Sequence, residues 1–201
     1  MWNWLASNSA MVNVVLNSAM LVVWITYLQL IYVSFRRSTR AVIHIDMAAG
    51  ADQQARCIVT NMGADTVYIL GIKVDLSCEG GYREALVTDH LEQENALGGD
   101  FRERTAKGPL AGGEAVDLGT FANILKRAAQ QKGESITAES CHSIEITVVV
   151  AAQQAHRLMG GYKRYDVLRE GDSLRFRSPD VLTRQVTGWL RRKRLLNEIG
   201  N

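Results

Sequence analysis

The feature that most limits what this chain can fold into is an apolar run, Ala10 to Ser34, without a charged side chain. As an α-helix, this run would be about 38 Å long at roughly 1.5 Å per residue, which exceeds the roughly 30 Å hydrocarbon thickness of a bilayer. A secretory signal peptide has a basic start and a shorter apolar stretch, and Met1–Trp4 carries no basic side chain. We therefore predict a retained transmembrane helix over 10–35, preceded by a short extracytoplasmic segment over 1–9.

Basic residues follow the apolar run directly and set its expected orientation. Arg36, Arg37 and Arg40 form a juxtamembrane cluster over 36–40, and no cationic side chain precedes the run. Because basic flanks stay on the cytoplasmic side of a membrane, the sequence predicts a single-pass inner-membrane protein with its C-terminal domain in the cytoplasm. The bacterial assignment rests on the overall character of the sequence. An exported domain of opposite topology is the alternative.

Two asparagines lie inside the apolar run. Asn13 and Asn17 are four positions apart and share one helix face. An amide in hydrocarbon needs a hydrogen-bond partner that lipid does not supply, so one hypothesis is helix association through these side chains. The other is that both amides lie near the outer interface and are hydrated there.

After residue 40 the apolar pattern changes to a period of two, which is typical of β-strands. Alternate residues are apolar in Ala41–Met47 and in Ser143–Ala152. Further strands are predicted over 56–61, 66–76, 84–88, 155–159, 162–168 and 173–177. Since only one short helix, over 120–131, separates them, we predict a mainly β fold with an antiparallel sandwich over 41–178.

Two segments of this region resemble the bacterial immunoglobulin-like sandwiches. In Cys57–Val74 an Asn-x-Gly turn joins two β-rich stretches, and Gly108–Phe121 is similar to the Gly-Glu edge segment that precedes a later strand. The resemblance implies an immunoglobulin-like fold and no particular activity. Between these segments, His90–Gly113 is polar and Gly-rich, which is typical of a loop that is either functional or mobile.

The residues that carry catalysis or bind metals show no recognisable pattern. The four histidines occur singly, without the spacing of metal ligands, and the pairs Gly80–Gly81 and Gly160–Gly161 are expected in turns rather than in phosphate-binding loops. Cys57, Cys78 and Cys141 are scattered, so we expect reduced thiols, although Cys57 and Cys78 could meet on neighbouring strands. The sequence predicts no cofactor, no metal and no enzyme. An enzyme with a dispersed active site is the alternative.

The end of the chain combines apolar and basic residues. We predict a basic amphipathic helix over 179–201 with Asp180 as its N-cap. Its candidate contact residues are Trp189, Leu190, Arg191, Arg192, Lys193 and Arg194. Such a helix either packs on the sandwich, lies on anionic lipid or contacts a partner protein.

These features together predict a membrane-anchored interaction module or accessory subunit of a membrane complex. We expect a protein partner or a homo-oligomer, and contact with the lipid bilayer through residues 10–35. Nucleic acid is not an expected partner, because the net charge of the chain is only +2 and the basic residues are not interleaved with aromatic ones.

Overall fold

In the computed structural model, the chain divides into two compact units, Met1–Arg40 and Ala41–Asn201. The residues that the structure describes are 8–38, 41–52, 54–87, 105–132, 140–152, 158–171, 173–186, 188, 191, 193–195 and 197. The first unit contains helix α1, Ser9–Ser38. Its long uncharged apolar run permits an uninterrupted helix of this length because it contains neither proline nor glycine.

The described residues of the second unit form ten strands and one helix of several turns. The strands are β1 Ile43–Ala48, β2 Arg56–Asn61, β3 Val67–Cys78, β4 Gly81–Leu86, β5 Gly108–Leu110, β6 Ala115–Thr120, β7 Cys141–Ala152, β8 Leu158–Glu170, β9 Ser173–Arg177 and β10 Arg184–Gln185. Helix α2 is Phe121–Lys132. The short helix predicted over 120–131 is therefore confirmed with a shift of one residue.

The strands form two antiparallel sheets. The smaller sheet has the order β1-β2-β6, and the larger has the order β10-β8-β7-β3-β4, with β5 also paired to β3 and β9 to β8. One hydrophobic core contains Ile45 and Val59 from the smaller sheet and Val74 and Ile146 from the larger. The predicted antiparallel β-sandwich is thus confirmed.

Alternation along the central strands explains why the sandwich forms. Val74 pairs with Ile146, and Leu76 pairs with Ile144, in the β3–β7 ladder, and all four side chains are buried. Intervening residues point to the outer face of the larger sheet, since side chains alternate along a strand. Phe121, the first residue of α2, stacks on Phe176 at a ring-centroid distance of 4.7 Å and fills the same core.

The Asn-x-Gly segment organises two turns at one end of the sandwich. The buried Asn61 side chain donates hydrogen bonds to the carbonyl oxygens of Asp65 (2.8 Å) and Leu110 (3.0 Å). Its own oxygen accepts one from the amide of Gly63 at 3.0 Å. The side-chain amide of Asn61 therefore connects the turn after β2 to the end of β5, so the Asn-x-Gly motif has a structural role.

Three sequence-based expectations differ from the structure of the large sheet. Gly160 and Gly161 lie inside β8 rather than in a turn, so the two strands predicted over 155–159 and 162–168 are one strand where described. Backbone packs too closely there for a side chain: a Cβ on Gly160 would lie 2.4 Å from the Val148 carbonyl oxygen. In the predicted loop over 90–113, residues 108–110 form β5, while 90–104 lie outside the described residues.

The predicted helix over 179–201 begins too early. Residues 184–185 form β10, which pairs with Tyr162 and Gly161 of β8, so the sandwich continues past residue 178. Asp180 is not an N-cap; its carboxylate pairs with Arg184 at 3.0 Å. Helical conformation is found only later, at 191, 193–195 and 197 among the described positions. Pairing with a strand distant in sequence outweighs the local helical pattern here.

Candidate membrane and interaction sites

Helix α1 is the one helix, within the part of the chain that is described, that is long and apolar enough to cross a membrane. Its apolar side chains are exposed among the described residues: Trp24 and Leu28, for example, are 56% and 59% exposed. A secretory signal sequence would meet the same criteria of length and composition. Arg36 and Arg37 belong to the last turn of α1, while the described residues include neither their side chains nor Arg40.

Four polar side chains inside α1 form two pairs with different hydrogen bonding. The hydroxyls of Ser18 and Thr26 each donate a 2.8 Å hydrogen bond to the carbonyl four residues earlier and so satisfy themselves in an apolar environment. The side-chain amides of Asn13 and Asn17 make no hydrogen bond to any residue within 8–38. In a bilayer centred on residue 22, Asn17 would lie about 8 Å and Asn13 about 14 Å from the midplane, so both would fall within the hydrocarbon half-thickness of about 15 Å, Asn13 close to its edge.

We expect the double variant Asn13→Ala, Asn17→Ala to lose self-association of the full chain in bilayers. Asparagine amides both donate and accept, so two copies of this face can satisfy one another, and each lost hydrogen bond should weaken association about threefold. Crosslinking yield at fixed protein-to-lipid ratio measures the effect. Ser18→Ala is the matched control, because that hydroxyl is bonded to its own helix. Equal dimer yields for the double variant and the wild type would contradict association through these amides.

The C-terminal segment packs on the outer face of the larger sheet. Val186 and Leu195 are buried in a small second core with Val149, against which Leu158 and Tyr162 pack. This contact shows that the apolar residues Val186 and Leu195 pack on the sandwich rather than on lipid or on a partner protein. Trp189, Leu190 and Arg192 lie outside the described residues.

The basic residues of this segment have different environments. The Arg191 guanidinium lies 3.6 Å from the centre of the Tyr162 ring and donates to the Glu145 carboxylate at 2.7 Å. Arg191 thus fastens the segment to the sheet by an ion pair and a cation–π contact. Lys193 and Arg194 are exposed.

The stretch before this segment closes the edge of the smaller sheet. The Gln185 side chain accepts from the Ile43 amide at 3.2 Å and donates to the Ile43 carbonyl at 2.7 Å. The Thr183 hydroxyl accepts from the Ile45 amide at 2.7 Å and donates to its carbonyl at 3.2 Å. These side chains imitate a neighbouring strand and protect the edge of β1 from pairing with another chain.

A buried ion cluster lies on the outer face of β3 and β4. The Lys73 ammonium contacts the carboxylates of Asp75 and Glu84, each at 3.2 Å, and the Lys73 and Asp75 side chains are only 7% and 8% exposed. Burial raises the pKa of Asp75 above its usual range, although Lys73 opposes this shift. Burial also raises the pKa of Tyr82, whose hydroxyl bonds to Asp75. Through these two carboxylates, Lys73 links strands β3 and β4.

A second ion pair joins the two sheets. The buried Lys163 ammonium of β8 donates to Asp46 of β1 at 3.2 Å and to the Val181 carbonyl at 3.3 Å. Partial burial favours the neutral form of Asp46, but the Met47 amide and Lys163 outweigh it and lower the pKa of this carboxyl. The His44 ring lies 4.0 Å from the Asp46 carboxylate and 3.3 Å from the Thr183 hydroxyl, so it belongs to the same group of polar contacts. This arrangement ties β1 to β8.

The cysteines differ from the sequence-based expectation. Cys78 and Cys141 form a disulfide at the end of the β3–β7 ladder, where they pair directly. They are 63 residues apart in sequence, so only the pairing of β3 with β7 brings them together. The expected reduced thiols and the alternative Cys57–Cys78 pair are therefore wrong in this structure. Cys57 is buried, and burial raises the pKa of its thiol to about 12, which makes it unreactive at neutral pH.

No group of three or more His, Cys, Asp or Glu side chains is placed to hold a metal ion in the described ranges. Comparisons with protein-family models, with curated proteins and with solved structures find no match to this chain. No local sequence pattern marks Glu145, Tyr162, Thr183 or Gln185 as contact residues, since each acts on a strand or segment distant in sequence. The described residues thus combine one apolar helix that is long enough to cross a membrane with a β-sandwich held together by polar contacts between distant positions.

Proposed function

We propose that this protein is a single-pass membrane protein whose β-sandwich is a non-catalytic interaction module or accessory subunit of a membrane complex. One observation supports this proposal most directly: an apolar helix that is exposed along its length is followed closely by a compact sandwich. The first strand of the sandwich, β1, begins five residues beyond Ser38. The buried lysines near carboxylates, Lys73 and Lys163, are ion-paired, which supports a structural role for both clusters. Under this proposal, α1 is not cleaved as a signal sequence and remains part of the mature protein.

Arg36, Arg37 and Arg40 support a cytoplasmic position for the sandwich in this proposal, with the N-terminus on the outer side of a bacterial inner membrane. The Cys78–Cys141 disulfide favours a second candidate, an exported binding module of opposite topology, because disulfides persist in oxidising compartments. Each candidate thus has one physical argument in its favour.

Labelling in intact cells separates the two orientations. In the variant Asn197→Cys, the new thiol would lie at an exposed position, while Cys57 is buried and the other two cysteines are bonded. For a cytoplasmic sandwich, a membrane-impermeant maleimide should label it only after the membrane is permeabilised. Labelling of intact cells would establish the exported module instead. The fraction of Cys78 and Cys141 that is oxidised, measured after rapid alkylation, gives an independent reading.

Purification of the tagged full chain in mild detergent tests the accessory role. We expect a particle larger than the monomer that contains a second polypeptide at fixed stoichiometry. Purification of Asn13→Ala, Asn17→Ala in parallel separates partners held by α1 from those held by the sandwich. A monomer without any co-purifying chain, under conditions that preserve other complexes of the same membrane, would overturn the accessory-subunit proposal.

A further inference from the structure

Strand β1 is an edge of the smaller sheet, so one side of its backbone has no neighbouring strand in the order β1-β2-β6. Alternate residues of a strand direct their amide and carbonyl groups to the same edge. In β1 the amides of Ile43, Ile45 and Met47 face this edge, since each donates to a side-chain oxygen rather than to β2. Such an edge is a template for a strand from another chain unless it is covered.

Residues 178–185, the strap, cover this edge with side chains. Gln185 accepts from the Ile43 amide and donates to the Ile43 carbonyl, at 3.2 and 2.7 Å. Thr183 accepts from the Ile45 amide and donates to the Ile45 carbonyl, at 2.7 and 3.2 Å. Among the described residues, no backbone ladder joins the strap to β1. A strand that brought its own backbone to β1 would satisfy the same groups and would therefore compete with the strap.

Polar contacts rather than apolar packing hold the strap. Val181 and Leu182 are 86% and 72% exposed, so these two side chains bury little apolar surface. Hydrogen bonds tie the strap to β8 through the β10 ladder and through the Val181 carbonyl, which accepts from Lys163 at 3.3 Å. Water replaces such bonds when a segment opens, and segments with few buried apolar contacts open without global unfolding. The strap can therefore leave β1 while the sandwich stays folded.

The sequence of β1 is complementary to itself when two copies run antiparallel. Centred on Ile45, such a pairing sets Ile43 opposite Met47. It also sets His44 opposite Asp46, once on each side of the centre, and facing residues of opposite charge stabilise neighbouring strands. The Asp46 side chain is 62% exposed, and its Oδ2 atom lies 4.0 Å from His44 of its own chain, so a second histidine can reach it.

We propose that the strap is a displaceable lock on β1 and that the opened edge pairs antiparallel with β1 of a second copy of this chain. Main-chain hydrogen bonds at Ile43 and Ile45 then replace those made by Thr183 and Gln185. The two smaller sheets become one sheet with the order β6-β2-β1-β1-β2-β6 and a twofold axis at Ile45, which closes the assembly as a dimer. This inference rests on the interaction role in the proposed function and names a second copy as the partner of the sandwich.

The variant Thr183→Val with Gln185→Met tests the lock, because it removes the four hydrogen bonds to β1 and nearly keeps the side-chain volumes. Full chains that carry either of two affinity tags are co-expressed and purified in mild detergent through one tag, and the captured amount of the other is measured. All chains also carry Asn13→Ala and Asn17→Ala, so that association through α1 does not contribute. We expect capture to rise about tenfold over the intact strap, since four bonds that oppose pairing are lost.

Arg184→Gln is the matched control within the strap. The Arg184 side chain is exposed and pairs with Asp180, another residue of the strap. Its replacement should leave capture at the level of the intact strap, because the bonds to β1 remain.

Cysteine crosslinking tests the register. In a pairing centred on Ile45, Val42 of one copy lies opposite Ala48 of the other, whereas the two Val42 positions are about 20 Å apart at roughly 3.3 Å per residue. In the strap variant, Val42→Cys copies co-expressed with Ala48→Cys copies should form an intermolecular disulfide under mild oxidation. Either copy alone should not. The native cysteines do not compete, because Cys57 is buried and the other two are bonded.

Charge substitutions at His44 test the contact with Asp46. In the strap variant, His44→Asp should give about tenfold lower capture than His44→Lys, because two facing pairs change from opposite to like charge. Equal capture by the two substitutions would contradict the predicted contact.

Circular dichroism of each variant measures whether its strands persist. If the strap variant loses them, Gln185→Met alone, which keeps the Thr183 bonds, takes its place. Capture by a folded strap variant no higher than that of Arg184→Gln would overturn the lock, and equal crosslinking of like and unlike copies would overturn the antiparallel register. Co-purification of a different polypeptide without capture of the second tag would refute self-pairing and leave the interaction module standing. The two failures are therefore distinguishable.

Discussion

Replacing Gly160 with alanine is expected to lower the free energy of unfolding by about 1–3 kcal/mol, as added volume does in a packed interior. The added Cβ would lie 2.4 Å from the Val148 carbonyl oxygen, which belongs to the backbone of the neighbouring strand. Strands β7 and β8 must separate locally to admit it. Because the Gly160 carbonyl accepts the hydrogen bond from Val186, the docking of the C-terminal segment should weaken as well.

Denaturant unfolding of the full chain in detergent, followed by the circular dichroism of its strands, measures this effect. Gly188→Ala is the matched control: nothing lies within 4 Å of its added Cβ, so its stability should change by less than about 0.5 kcal/mol. If Gly160→Ala were as stable as Gly188→Ala, the close approach of β7 and β8 at this point would be refuted.

Replacing Lys73 with methionine is expected to cost about 3–5 kcal/mol, the usual result of removing one partner of a buried ion pair. Methionine keeps most of the side-chain volume, so the cost is electrostatic. The Asp75 carboxylate, 8% exposed, would remain without its nearby cation, whereas Glu84 is 43% exposed and can be hydrated. Lys126→Met on the exposed face of α2 is the control and should be nearly neutral.

The pH dependence of Lys73→Met distinguishes the loss of charge pairing from simple misfolding. Burial already raises the pKa of Asp75, and removal of Lys73 should raise it further. A folded state with a raised carboxyl pKa binds a proton more tightly than the unfolded chain, so the variant should recover stability as the pH falls below that pKa and lose it as the pH rises through it. Lys73→Met with Asp75→Leu should restore much of the stability. A pH-independent deficit that persists in this double variant would contradict the electrostatic explanation.

Local pattern predicted several elements well. The strands expected over 56–61 and 173–177 have the bounds of β2 and β9, and the apolar run forms α1. Alternation of apolar residues is a property of a few consecutive positions, and it reports directly which face of a strand meets a core. The helix expected over 179–201 was only partly correct, since β10 replaces its first part.

Non-local pairing decided the features that sequence reasoning missed. Gly160–Gly161 has the composition of a turn, yet the approach of Val148 and Ile43 makes glycine necessary within a strand. Likewise, the sequence distribution of the cysteines gives no sign that Cys78 will meet Cys141. Both outcomes depend on which strands become neighbours, and strand order is a property of the whole sheet.

By itself, the sequence determined the long apolar helix, the basic cluster after it and the mainly β character of the domain, because each depends on the composition or period of one continuous segment. The tertiary structure alone decided the disulfide, the ion clusters on β3 and β8, and the attachment of the C-terminal segment beside Ile43. Those features need side chains from distant positions to lie within a few ångströms of one another. Only the packing of the two sheets sets such distances.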